Sequence, residues 1–145
     1  MNRKKILVVD DNAVITKRLS LTLKHHGYDT VTAVDGAGAV SIARHEIPNL
    51  IILDVSFPPD VAHGGGVAWD GFLIIDWLRR LEEAKNIPII VITGSPEKKY
   101  REQALAKGAV AFFHKPIDER ELVAVIQKTI GEGEPPPAPP SLPTA

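Results

Sequence analysis

"KILVVDDN", residues 5–12, decides the fold. Four consecutive apolar residues, three of them β-branched, read as a strand buried on both faces. Two adjacent carboxylates, Asp10 and Asp11, stand at its exit, where a simple surface turn would need neither. Asn12 is a good cap for a helix whose apolar residues Ile15, Leu19 and Leu23 recur four apart, and Gly27 suits the left-handed residue that ends it.

The same alternation runs down the chain. "TVTAV" (30–34), "LIILD" (50–54), "PIIVIT" (88–93) and "AVAFFH" (109–114) read as further strands, with helical patterns between them. A last helix opens at Asp118, with Glu121 in capping-box spacing. It carries an apolar stripe of Leu122, Val125, Ile126 and Ile130, and closes at Gly131. Nearly all-apolar strands alternating with helices imply a parallel α/β sheet with helices on both faces.

The bulk numbers agree with one domain. The chain has 145 residues, 44% of them hydrophobic, enough for a real core. Lys and Arg number 17 against 18 Asp and Glu, so the net charge of -1 gives no field for nucleic acid or an anionic membrane. With no cysteine there is no disulfide, thiolate metal site or cysteine nucleophile. The basic start is followed by too short an apolar run for a signal or a span, so a cytoplasmic location is expected.

In parallel α/β folds ligands sit at the carboxyl ends of the strands. Those ends carry Asp10 and Asp11, then Asp54, then Thr93, then His114, Lys115 and Pro116. Three carboxylates on one rim repel each other unless a cation sits among them. A hard oxygen-loving ion such as magnesium, or manganese in its place, answers that need. A carboxylate held beside such a cation, an ammonium and a hydroxyl is arranged to attack a phosphoryl group, and Asp54 is the most central of the three.

"VVDDN", "LIILDVSFP", "VITG" and "FFHKP", in this order and spacing, resemble the receiver domain of two-component response regulators over residues 4–131. The resemblance implies a flavodoxin-like, doubly wound five-stranded parallel sheet of order 2-1-3-4-5. It implies an activity too: taking a phosphoryl group from a sensor histidine kinase or a His-phosphotransfer protein onto an aspartate. Residue by residue, Asp54 matches the phospho-acceptor, Asp11 the direct Mg²⁺ ligand, and Asp10 the acid that holds the metal largely through water. Ser56 would lend its backbone carbonyl to the ion. Thr93 matches the hydroxyl that moves toward the phosphoryl group, Lys115 its ion-pairing partner, Pro116 a residue whose preceding bond is usually cis, and Phe112 the switch aromatic. Ser56 and Ser95 match positions that influence hydrolysis of the aspartyl phosphate. Catalysis would be limited to the chain's own phosphorylation and slow autodephosphorylation. Output would run through an unknown downstream protein, or a homodimer formed on the face of the fourth helix, fifth strand and fifth helix.

The sequence departs from that pattern after Pro58. "PDVAHGGGVAW" (59–69) precedes Asp70 and Gly71, a long connection for an α/β fold. It reads either as a tolerated surface insertion or as a lid or docking element, with Gly64–Gly66 as flexible backbone and Trp69 as an anchor. Residues 1–131 are thus expected to form the receiver, and 132–145 a flexible Pro-rich tail with no second domain after it. The fourth helix, 96–108, is poor in large apolar residues and is expected to be weakly anchored.

Bland readings cover the rest. His25 and His26 suit a helix C-terminus, and His45, His63 and His114 lack metal-ligand spacing. Trp77, with Ile74, Leu78 and Leu81, reads as packing. Two rival functions stay in view: a phosphorylation-independent receiver-like scaffold, and a metal-dependent phosphohydrolase, which would want an acid where Ser56 stands. A flavin site fails because two aspartates would repel its phosphate.

Overall fold

The structure is a computed structural model that describes residues 3–55, 71–94 and 98–133. Five strands, β1 (Lys5–Val9), β2 (Asp29–Ala33), β3 (Leu50–Asp54), β4 (Ile89–Thr93) and β5 (Ala111–His114), form one parallel sheet in the order β2-β1-β3-β4-β5. Five helices connect and cover them: α1 (Ala13–His25), α2 (Gly36–Glu46), α3 (Gly71–Arg80), α4 (Lys98–Ala106) and α5 (Glu119–Ile130). The expected doubly wound order is therefore present.

Strand alternation splits the apolar residues into two cores, one on each face. Leu7, Val9, Ile51, Leu53, Ile89 and Val91 meet α2, α3 and α4 through Ala39, Ala43, Ile74, Leu78 and Ala104. Ile6, Val8, Leu50, Ile52, Ile90 and Ile92 meet α1 and α5 through Leu19, Leu23, Leu122 and Ile126. This is why residues 6–9, 50–53 and 89–92 of the central strands are unbroken apolar runs: neither face touches water. Each such Leu or Ile contributes roughly 1.5–3 kcal/mol on burial.

The predicted caps are in place. Asn12 accepts the Val14 N–H at 2.9 Å, and Gly27 takes φ 89°. Asp118 accepts from Arg120 N at 2.9 Å, while its contact to Glu121 N is long at 3.4 Å. At the far end of the domain, Tyr28 Oη donates to the Gly131 carbonyl at 2.7 Å, and the Lys4 ammonium donates to the Ile130 carbonyl, tying α5 to β1 and to the α1–β2 turn. Glycine is required at 133, since a Cβ there would overlap the His26 carbonyl oxygen.

Several boundaries move. Val34 lies past the end of β2 and is 55% exposed, and Ala109 and Val110 precede β5 rather than open it. The helix expected from 96 ends at Ala106, with Gly108 in the turn at φ 93° and 96–97 outside the described residues. Trp77 corrects the packing expectation: it is 45% exposed, because Ile74, Ile75 and Leu78 already fill the buried side of α3. Leu81 follows the helix rather than belonging to it. The insertion 59–69, Ser56, Ser95 and the tail from 134 lie outside the described residues.

Candidate functional site

The rim at the carboxyl ends of β1, β3, β4 and β5 gathers the predicted groups. One carboxylate oxygen from each of Asp10, Asp11 and Asp54 lies within 4.8 Å of the others. Asp10 and Asp54 are buried and Asp11 is exposed, so the cluster opens to solvent on one side only. The β1 ladder carries on through the Asp10 amide, which donates to Ala33 O at 3.1 Å, and this draws the Asp10 side chain inside while Asp11 stays out.

Lys115 closes the site from β5. Its ammonium donates to Asp10 Oδ2 at 2.8 Å and to Asp54 Oδ2 at 2.9 Å. Its own backbone N–H donates to the Thr93 carbonyl at 2.8 Å, and the Lys115–Pro116 bond is cis, as the resemblance implied. The lysine thus bridges two acids from two strands, a pairing that spacing along the chain did not reveal. Asp10 Oδ1 also accepts the Asn12 N–H at 2.9 Å.

The charges are unbalanced. Burial pushes the Asp10 carboxyl above its ordinary value, opposed by the Lys115 and Asn12 hydrogen bonds and helped by the Asp54 charge. For Lys115 burial pulls downward, but the bonds to Asp10 and Asp54 and their charges outweigh it and raise the ammonium. Three carboxylates and one ammonium leave about two uncompensated negative charges, on an all-oxygen donor set. Those donors fit a hard divalent cation.

Thr93 is fully buried, and the alternation that puts Ile89 and Val91 on the α2–α4 face puts Thr93 there too. Phe112, opposite Val91 in the ladder, is half-buried against the same core. His114 is exposed at the β5 end. Among the described residues, no helix is long and apolar enough to cross a membrane.

Sheet order and rim together define a CheY-like α/β domain with an acidic, lysine-closed site. Comparison with known proteins gives the family: the model of the response regulator receiver domain matches residues 6–127, and the chain belongs to that family. It is 37% identical over 136 residues to the "Probable transcriptional regulator ycf27" of Cyanophora paradoxa, covering 94% of this chain and 52% of that one. The chain spans about half the length of the first curated relatives it matches. Among solved structures, Vibrio cholerae chemotaxis protein CheY4 superposes with a TM-score of 0.76 at 28% identity, over 88% of this chain and 99% of that one. The receiver domain of sensor histidine kinase PA1611 from Pseudomonas aeruginosa, solved with magnesium in its active-site cleft, gives 0.75 at 28% identity, covering 90% and 99%.

Proposed function

We propose that the chain accepts a phosphoryl group on Asp54 from the phosphohistidine of a sensor kinase or phosphotransfer protein, and signals through protein contacts that this phosphate switches. The observation that carries the reading is the Lys115 ammonium held between Asp10 and Asp54 in a chain of the receiver family.

In the reaction an Asp54 oxygen attacks phosphorus. A P–O bond forms as the P–N bond breaks, and the donor imidazole leaves with the electron pair. Lys115, whose ammonium lies 2.9 Å from Asp54, would pair with a phosphoryl oxygen, and the Thr93 hydroxyl would donate to another. Asp10, Asp11 and Asp54, with the Ser56 carbonyl, would hold magnesium, whose charge neutralises the oxygens of the transferring group. The cluster's own negative charge makes that help necessary, because a phosphoryl dianion meets two uncompensated carboxylates.

The product adds about two negative charges at the rim. Those charges draw Lys115 and Thr93 toward the new oxygens. Thr93 and Phe112 share one sheet face, so movement of Thr93 frees room for Phe112 and reshapes the surface of α4, β5 and α5. That surface is where a downstream protein or a second copy would read the state.

Intact-protein mass spectrometry tests the proposal. Incubation with an acyl phosphate and Mg²⁺ is expected to add one phosphoryl group to the wild type and none to Asp54→Asn or to the wild type with a chelator. A wild type that stays unmodified under conditions that label another receiver would overturn it.

A further inference from the structure

β2 is a terminal strand, and its outer side forms a groove. The groove has a volume of about 500 Å³, walled by Lys17, Ser20 and Lys24 of α1 and Ile42 of α2, with Thr30 and Thr32 on its floor. We propose that it docks an extended acidic segment of a partner protein, which adds beside β2 as a further strand of the sheet.

The backbone supplies the first reason. Asp29 N donates to Lys4 O at 2.9 Å and Ala33 O accepts from Asp10 N at 3.1 Å, so residues 29, 31 and 33 face β1. In a ladder the residues between turn the other way, which sends the N–H and C=O of Thr30 and Thr32 outward into the groove. Unpaired groups of this kind on β-branched residues template another strand.

Charge supplies the second. Lys17 and Lys24 are exposed and, among the described residues, the ammonium of neither takes part in an ion pair or hydrogen bond. Glu46, the acid at the groove, is neutralised by Lys5 at 2.5 Å. The unpaired charge on the α1 wall is therefore positive. Seven residues separate the two lysines, about 10.5 Å along the helix. Acidic residues two or four apart on a strand stand about 6.6 or 13 Å apart, within the reach of two long side chains. The residues between them would turn toward Ile42 and Val31, so the segment that fits alternates acidic with apolar side chains.

A partner supplies that segment better than residues 134–145 do. Residues 134–145 hold six prolines, which have no N–H to give a ladder. The groove also lies on the outer edge of the sheet, apart from the acidic rim, so its binding stands or falls independently of phosphorylation.

The test is a titration of the ¹⁵N-labelled full chain with a capped eight-residue peptide of alternating glutamate and valine. Expected are amide shifts centred on Thr30 and Thr32, with exchange of those two amides slowed at least about tenfold. Lys17→Glu with Lys24→Glu, both at exposed positions, should weaken binding at least about tenfold with an unchanged circular dichroism spectrum. A peptide methylated on alternate backbone nitrogens should no longer slow Thr30 or Thr32. The proposal is overturned if millimolar peptide shifts nothing. Shifts scattered over many lysines and erased by salt, with Thr30 and Thr32 exchange untouched, overturn it too, because that is charge attraction without strand pairing.

Discussion

Replacing Lys115 with methionine tests whether the rim is held together by charge. Methionine keeps most of the side-chain volume, so the packing of the stem survives while the ammonium is lost. What remains is Asp10 and Asp54, both buried, with carboxylate oxygens no more than 4.8 Å apart. At an effective dielectric constant of about 20, two unit charges at that separation repel by about 3.5 kcal/mol. Breaking a buried ion pair costs about 3–5 kcal/mol, so the two routes agree. In metal-free buffer near pH 7 the Lys115→Met protein should therefore lose about 3–5 kcal/mol in urea unfolding.

The sign of the pH dependence follows from Asp10. Burial already raises its folded-state pKa in the wild type, and losing the lysine raises it further. A carboxylate with a raised folded pKa costs stability above that pKa, and the cost is relieved as pH falls through it. The gap between variant and wild type should thus narrow from about pH 7 to about pH 5. Mg²⁺ at about a hundred times its Kd adds about 2.7 kcal/mol to any folded binder. At a concentration about a hundred times the wild-type Kd the variant should gain more than that, because no ammonium competes for the same oxygens and its own Kd is lower. A loss of equal size at both pH values, untouched by Mg²⁺, would refute the reasoning and assign Lys115 to packing.

Three further outcomes are expected elsewhere. Ile47, a β-branched residue at φ 45° just before Pro48 and 56% exposed, is strained with little packing to lose, so Ile47→Asn should raise stability by about 0.5–1 kcal/mol in thermal or urea unfolding. Tyr28→Phe removes the donor to the Gly131 carbonyl and should cost about 0.5–1.5 kcal/mol, with faster amide exchange at the end of α5 as its local signature. Native-state hydrogen exchange should find α4 less protected than α1 or α5: among the described residues its fully buried apolar side chain is the small Ala104, while Leu105 is 46% exposed and Tyr100, its ring 5.6 Å from that of Phe72, is partly buried. Protection of α4 equal to that of the central strands would argue against the proposed reshaping of the α4, β5 and α5 surface.

Much of the molecule was legible because its signals are local. Nearly all-apolar, β-branched runs marked the strands, Asn12, Gly27, Asp118 and Gly131 marked helix ends, and each strand end named the residue it delivers to the rim. The order of those motifs carried the family. What periodicity could not supply was the environment of each group. Asp10 and Asp11 are neighbours in sequence, yet one is buried and the other exposed, because the ladder to β2 runs one residue past the strand on the Asp10 amide. The pairing of Lys115 with both Asp10 and Asp54 spans 105 and 61 residues, and only the packed sheet brings those ends together. Trp77 turned outward because its helix had apolar residues to spare, and the lysine-walled edge of β2 exists only once α1 and α2 are laid beside it. Local pattern determined which elements form and which side chains reach the rim. Tertiary packing decided which of those side chains lose their water, and desolvation sets the charges the chemistry has to work with.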